Sequence, residues 1–135
     1  MSETRVLVVD DEPDIRLMLR LLIEQQGCIV DEAADGAEAL VMLKESHYAV
    51  MFLDLLMPQL DGRQVLDRLP EELLEAMPVV VLTALDADRE ILTGYERGAT
   101  VYLTKPFSNS QVVDVLNYLT ADLTEEERTE LEARI

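Results

Sequence analysis

Short, almost wholly apolar runs alternate along this chain with longer runs in which apolar residues recur every three or four positions. This alternation is typical of parallel strands joined by crossover helices, because a strand covered on both faces is apolar throughout whereas a crossover helix buries only one stripe. The pattern predicts an α/β protein. Five strands are predicted, at Arg5–Val9, Ile29–Ala33, Tyr48–Leu53, Val79–Thr83 and Thr100–Leu103.

Five helices are predicted to connect and follow these strands. The predicted boundary residues are Pro13 and Gly27 for the first helix, Asp35 with Glu38 for the start of the second, Gly98 for the end of the fourth, and Ser108 with Gln111 for the start of the fifth. Proline suits a first helical turn, glycine suits a helix end, and the two polar pairs have capping-box spacing. Pro70 interrupts the third helical pattern between Gly62 and Met77, which indicates either one irregular helix or a helix and a second short turn.

The composition changes near Thr120. Residues 122–134 contain six acidic residues and two arginines, with capping-box spacing at Thr124 and Glu127 and a thin apolar stripe at Leu123, Leu131 and Ile135. We therefore predict one domain at residues 1–120 and an acidic helical extension at residues 121–135. The extension could be solvated, docked on the domain or paired with a second copy.

Charge and length exclude several classes of function. The chain has 135 residues, enough for one domain, and its 28 acidic residues against 11 basic ones give a net charge of -17. Such a field repels phosphate backbones and anionic lipids, so direct nucleic-acid or membrane binding is not expected.

A single cysteine, Cys28, excludes an internal disulfide and favours a reducing compartment. With no leader pattern at the start and no apolar run near membrane length, we expect a cytoplasmic protein.

Polar residues follow the apolar runs at the carboxyl ends of four predicted strands. These residues are Asp10 and Asp11 after the first strand, Asp54 after the third, Thr83 at the end of the fourth, and Thr104, Lys105 and Pro106 after the fifth. In a parallel sheet these ends meet at one edge, where ligands bind. Clustered carboxylates favour a hard divalent cation such as Mg²⁺, and a lysine with a hydroxyl suits a phosphoryl group. The plausible nucleophile at this edge is a carboxylate, which would form an acyl phosphate.

Four segments carry a resemblance to a known family. They are Val-Leu-Val-Val-Asp-Asp-Glu at 6–12, Leu-Asp-Leu-Leu-Met-Pro at 53–58 with Asp61-Gly62 following, Val-Leu-Thr-Ala at 81–84, and Tyr-Leu-Thr-Lys-Pro-Phe at 102–107. Together they resemble the receiver domain of response regulators of bacterial two-component systems, similar in length to single-domain chemotaxis regulators. The resemblance implies a flavodoxin-like sheet of strand order 2-1-3-4-5 with five helices.

The resemblance also implies a role for each matching residue. Asp54 would accept a phosphoryl group from a histidine kinase or phosphotransfer protein, and Mg²⁺ would be held by Asp10, Asp11, Asp54 and the Leu56 carbonyl. Lys105 and Thr83 would contact the phosphoryl oxygens, and the Lys105–Pro106 bond would be cis. Thr83 and Tyr102 would act as the switch residues. The face made by the fourth helix, fifth strand and fifth helix would bind a downstream protein target or a second copy. The resemblance implies no enzymatic activity beyond phosphoryl transfer to Asp54 and hydrolysis from it.

Two other functions stay open. The same fold could serve as a constitutive interaction or dimerisation module without phosphorylation, although the five polar site residues argue against it. A magnesium phosphatase resembling haloacid dehalogenases would need a second acid at Leu56. Leu56 and Leu85 are apolar where many receivers are polar, and we hypothesise that they hinder water and slow dephosphorylation. No DNA-binding pattern follows Thr120, so we expect output through a partner or through a part absent from this chain.

Overall fold

The sheet has the predicted architecture. In a computed structural model that describes residues 3–84 and 98–135, five strands form one parallel sheet of order β2-β1-β3-β4-β5. The strands are β1 Arg5–Val9, β2 Ile29–Ala33, β3 Val50–Asp54, β4 Val79–Ala84 and β5 Val101–Lys105. The α/β class and the strand order are therefore confirmed.

The bounds of three strands differ from the prediction. β3 begins at Val50 rather than Tyr48, since Tyr48 precedes the paired residues and its hydroxyl donates to Asp31 at 2.7 Å. β4 and β5 extend further than predicted because their ladder continues to the pair Ala84 and Lys105. Lys105 is therefore the last residue of a strand rather than part of the loop that follows.

Six helices lie within the described residues. They are α1 Pro13–Gln25, α2 Gly36–Glu45, α3 Gly62–Asp67, α4 Glu71–Ala76, α5 Asn109–Thr120 and α6 Glu125–Arg134. Of the two alternatives left open around Pro70, the structure has the second, a separate short helix α4 that begins after the extended backbone of Pro70 (ψ 144°). The predicted fourth helix lies outside the described residues, apart from Gly98, which has φ +98°.

For the helices that the structure describes, the predicted boundaries are confirmed with one correction. Ser108 with Gln111 forms a reciprocal capping box, as does Thr124 with Glu127. At α2, Asp35 accepts from the Glu38 amide at 2.8 Å, but the Glu38 carboxylate accepts from the Ala34 amide instead of the Asp35 amide. The carboxylate has reached one residue further back, so α2 has a cap without a complete capping box.

The core forms a layer on each side of the sheet. Alternate strand residues point to opposite faces, so Val6 and Val8 pack with α1 and α5 while Leu7 and Val9 pack with α2 and α3. Burial on both faces explains why the strands are apolar throughout. It also confines the polar chemistry to the strand ends.

The acidic extension is docked. Of the three states left open by the sequence, the structure has α6 packed on α5, with Leu131 only 6% exposed. Among the described residues, no helix combines the length and apolar character that a membrane span needs.

Candidate functional site

Carboxylates from two strands meet at the carboxyl edge of the sheet. Asp10, Asp11 and Glu12 follow β1 and Asp54 ends β3, and one carboxylate oxygen from each lies within 4.8 Å of the others. Asp10 is fully buried and Asp54 is 4% exposed. The structure thus brings together the three predicted aspartates and adds Glu12, to which the sequence analysis assigned no role.

Lys105 joins these carboxylates from the end of β5. Its Nζ lies 2.9 Å from Asp10 Oδ2, 3.1 Å from Glu12 Oε1 and 3.4 Å from Asp54 Oδ2. We call these five residues, Asp10, Asp11, Glu12, Asp54 and Lys105, the acidic site. One lysine balances four carboxylates, which leaves the site with a formal charge of -3 when all are ionised.

Burial and repulsion dominate the electrostatics of Asp54. Desolvation, and then the nearby charge of Asp10, raise the pKa of Asp54 to about 7, against the opposing effects of Lys105 and the Leu56 amide. Burial alone would lower the pKa of Lys105, but its close ion pair with Asp10 and the charge of Asp54 outweigh burial and raise it. The site therefore holds one firmly protonated lysine and an aspartate whose negative charge needs further compensation.

The donor set fits a hard divalent cation. Oδ2 of Asp10 is buried and accepts no hydrogen bond of good geometry within the described part of the chain, although the Lys105 ammonium is near enough for an ion pair. All candidate ligand atoms in the cluster are carboxylate oxygens, which Mg²⁺ and Ca²⁺ prefer. A cation here would relieve the repulsion that raises the pKa of Asp54.

Local hydrogen bonds hold the loop after β1 in place. The Glu12 amide donates to Asp10 Oδ1 at 2.9 Å, and Arg16 on α1 donates from Nη1 to the Asp10 carbonyl at 2.7 Å. Arg16 also pairs with Glu32 on β2 at 3.2 Å. The sequence analysis missed Arg16; its signal was an arginine one helical turn after the run of acids.

Gly62 allows α3 to begin against the site. A Cβ on Gly62 would lie 2.5 Å from the Asp54 carbonyl oxygen and 2.9 Å from the Leu55 Cα. Because this backbone approach leaves no room for a side chain, a glycine is needed where α3 meets the end of β3. This contact explains the Asp61-Gly62 pair that follows the aspartate.

The other predicted residues lie around this edge. Thr83 is buried, at 1% exposure, on β4; Tyr102 is half-buried on β5. The Lys105–Pro106 bond is cis, as the resemblance implies. Leu56 is 45% exposed and its amide donates to Asp54 Oδ1 at 3.2 Å. Leu85 lies outside the described residues, so the water-exclusion hypothesis stays a prediction.

Fold and site together define a class of protein. An open parallel sheet with clustered carboxylates and a lysine at its carboxyl edge is an α/β domain whose polar site lies at the strand ends, where such domains bind ligands. The family model of the response regulator receiver domain matches residues 6–117. The chain belongs to this family, which confirms the resemblance found in the sequence.

Named relatives include longer regulators. The chain is 40% identical over 112 residues to the transcriptional regulatory protein ResD of Bacillus subtilis, covering 83% of this chain and 46% of that protein. It is 39% identical over 108 residues to the transcriptional regulatory protein SrrA of Staphylococcus aureus, covering 80% of this chain and 44% of that protein. The match thus spans less than half the length of these relatives.

Solved structures match over most of the chain. The chemotaxis protein CheY4 of Vibrio cholerae superposes with a TM-score of 0.81 at 29% identity, covering 88% of this chain and 100% of that one. The receiver domain of the Francisella response regulator 1452 superposes with a TM-score of 0.78 at 35% identity, covering 87% and 96%. The fold is therefore that of CheY-like receiver domains.

Proposed function

We propose that this chain is a phosphorylation-dependent signalling switch that accepts a phosphoryl group on Asp54 in a Mg²⁺-dependent reaction. The donor would be the phosphohistidine of a partner kinase or phosphotransfer protein. The observation that carries the proposal is the convergence of three carboxylates and Lys105 on a fourth, the buried, strand-terminal Asp54. Membership of the receiver family supports the same assignment.

Asp54 is the proposed nucleophile. An ionised Oδ of Asp54 would attack the phosphorus of the donor, forming a P–O bond while the P–N bond of the phosphohistidine breaks and the imidazole leaves with the electron pair. The raised pKa of Asp54 means that the carboxylate needs positive charge nearby to stay ionised and nucleophilic at neutral pH. Lys105, 3.4 Å away, supplies one such charge.

Asp10, Asp11, Asp54 and the Leu56 carbonyl are the proposed holders of Mg²⁺. When bound, the cation supplies charge that offsets the carboxylates and the phosphoryl oxygens. The buried Oδ2 of Asp10, which accepts no hydrogen bond within the described residues and has only the Lys105 ammonium as a close ion partner there, supports its assignment as a ligand. The carboxylate of Glu12, 3.1 Å from Lys105 Nζ, would position the lysine ammonium between the end of β1 and the end of β3.

The readout is a shift between two arrangements of the strand ends. A phosphoryl group adds about two negative charges next to Lys105 and within reach of β4, where Thr83 would hydrogen-bond it. We propose that Tyr102, half-buried on β5, follows this movement. The downstream partner would then bind the face that contains β5 and α5, or a second copy of the chain would pair there.

The family membership and the charge of the chain support the other assignments. Chemistry is limited to transfer to Asp54 and hydrolysis from it, so the protein is a switch rather than an enzyme with its own substrate. The curated relatives are named transcriptional regulatory proteins. The net charge of -17 supports output through a protein contact rather than direct DNA binding by this segment. We propose a cytoplasmic location, where a reduced Cys28 is stable.

The test uses two phosphoryl sources. The protein is titrated with beryllofluoride, a phosphoryl mimic, with and without Mg²⁺ while tyrosine fluorescence is followed, and it is incubated with acetyl phosphate for intact mass. We expect a saturable, Mg²⁺-dependent fluorescence change and the mass of one added phosphoryl group. Asp54→Asn should abolish both, whereas Asp122→Asn, the same charge change at an exposed position, should leave both unchanged.

The outcome separates the two main functions. A response that is lost only in Asp54→Asn supports the switch. A folded wild-type protein that binds neither reagent would contradict the switch and favour the constitutive interaction module.

A further inference from the structure

Helix α6 covers part of the face formed by β5 and α5. Leu131 is buried against α5, and Ile135 and Arg134 line a cleft of about 110 Å³ together with Tyr102 and Thr104 of β5. The segment therefore lies on the described part of the surface through which we propose that the switch signals. A partner on this surface would have to displace α6 or bind beside it.

The docking of α6 is mainly polar and exposed. Arg134 pairs with Asp114 at 3.2 Å, the Tyr118 hydroxyl donates to Glu132 at 2.8 Å, and Arg128 lies 5.0 Å from the centre of the Tyr118 ring. Contacts of this kind contribute little in water, and Leu131 is the one buried side chain of the helix. Such a helix is held weakly enough to be released.

Strand β5 connects the docked helix to the acidic site. Tyr102 and Thr104 line the cleft beside α6, and the next residue, Lys105, ends the strand with its ammonium among Asp10, Glu12 and Asp54. A change in the position of Lys105 therefore occurs one residue from the surface on which α6 rests. The two sites share a single structural element, which can transmit a population shift between them.

We propose that α6 is a releasable cover on the β5–α5 face, docked when Asp54 is unmodified and freed when Asp54 carries a phosphoryl group. The inference rests on the proposed function of Asp54. The direction follows from two properties of α6. Its five glutamates against two arginines make it acidic, so negative charge added at Asp54 opposes its docking, and Leu131 is the one buried side chain that holds it in place.

Hydrogen exchange measures the docking of α6 on α5 directly. A ten-residue helix is marginal on its own, so the amides of 125–135 should lose protection when α6 leaves α5. We expect exchange of this segment in the full 135-residue protein to accelerate about threefold or more on adding beryllofluoride with Mg²⁺. Asp54→Asn should show no acceleration.

A charge swap tests the reverse direction of the coupling. Asp114→Arg and Arg134→Asp each replace an ion pair with a repulsion and should loosen α6, while the double variant restores the pair with its partners exchanged. Because coupling between sites is reciprocal, each single variant should lower the beryllofluoride midpoint by about threefold, and the double variant should return it to the wild-type value. None of these positions lies in the acidic site.

Failure of the cover is distinguishable from failure of the switch. Saturable beryllofluoride binding with unchanged exchange of 125–135 would overturn the cover and leave the switch intact. Loosened α6 in the single variants with no change in the midpoint would also overturn the coupling. Absence of beryllofluoride binding in a folded wild-type protein would overturn the proposed function and the coupling together.

Discussion

The acidic site and helix α6 contain the same kind of side chain in opposite surroundings. At the acidic site, Asp54 is nearly buried beside Asp10, and its pKa is raised to about 7. On α6, Glu127 is exposed and its pKa is lowered, because it accepts hydrogen bonds from the Thr124 backbone and side chain at the helix start. Local hydrogen bonds therefore favour the charged form of Glu127, whereas burial and a neighbouring charge oppose the charged form of Asp54.

This difference shows that the acidic composition does not locate the chemistry. The chain has 28 acidic residues, but the structure brings four of them into one partly buried cluster opposite a lysine. Water screens the charges on α6, and removal of water strengthens those at the site. Equal substitutions in the two regions should therefore have unequal effects.

The largest expected effect is on cation binding. Asp11→Asn should weaken Mg²⁺ binding on the order of a hundredfold, because it removes a charged ligand from the proposed site. Glu126→Gln, the matched loss of one charge on α6, should change the affinity by less than about twofold. Titration calorimetry with Mg²⁺ measures both. Equal losses in the two variants would mean that Mg²⁺ responds to net charge rather than to the site.

The next effect is on stability in the absence of Mg²⁺. Because folding raises the pKa of Asp54 from about 4 to about 7, its contribution to stability is present at low pH and is lost as the pH rises through 7. Asp54→Asn should therefore be more stable than wild type by about 2 kcal/mol at pH 8, and this advantage should shrink as the pH falls toward 4. Urea unfolding across this range is the measurement. A variant less stable than wild type at pH 8 would contradict the electrostatic picture.

In burial, Asp31 is intermediate between Asp54 at the acidic site and Glu127 on α6. Its carboxylate is half-buried, pairs with Arg5 at 3.1 Å and accepts a hydrogen bond from the Tyr48 hydroxyl at 2.7 Å. Tyr48→Phe should cost about 1 kcal/mol of unfolding free energy. Burial, and then the hydrogen bond to Asp31, raise the pKa of Tyr48 to about 12. The hydroxyl therefore stabilises the fold below pH 10, and this contribution is lost as the pH rises through 12.

Urea unfolding of wild type and Tyr48→Phe at pH 8 and pH 11 tests whether the contribution of the Tyr48 hydroxyl to the unfolding free energy decreases as the pH rises. Tyr118→Phe is the control, because the Tyr118 hydroxyl bonds Glu132 at an exposed position. If the two variants lose equal stability at pH 8, the burial of Tyr48 has no energetic consequence.

The smallest effect is expected on α6. Arg134→Ala breaks an exposed ion pair with Asp114, so it should change global stability by less than about 0.5 kcal/mol, and the change should vanish in about 0.5 M salt. Urea unfolding at two salt concentrations measures it. A loss above about 1 kcal/mol would show that α6 belongs to the cooperative core, against its description as a weakly held cover.

Most of the fold could be predicted, and the reason lies in the sheet. Strands covered on both faces must be apolar, so runs such as Val79–Thr83 stand out from helices with one apolar stripe. The ends of the strands could not be predicted as well as the strands themselves. For example, β5 continues to Lys105 because its backbone pairing with β4 continues to that residue. Around Pro70 the sequence indicated an interruption, because proline does not continue a helix, but only the structure decided between one irregular helix and two short ones.

Part of the site followed from the same reasoning. Residues after parallel strands meet at one edge, so Asp10, Asp54 and Lys105 were expected together before any distance was known. Glu12 and Arg16 were missed, since the first gains its role from a contact with Lys105, 93 residues away, and the second from a bond to a carbonyl. Neither contact leaves a periodic signal.

The sequence by itself determined the α/β class, the strand order implied by the family and the set of polar strand ends. These features depend on periodicity and on residue type, which are local properties of the chain. Tertiary structure alone decided the burial of Asp54, the ion pair of the buried Asp10 oxygen with Lys105 and the docking of α6 on α5. The reason is that desolvation and close contact arise only when distant segments pack, and those two effects raise the pKa of an otherwise ordinary carboxyl group at Asp54.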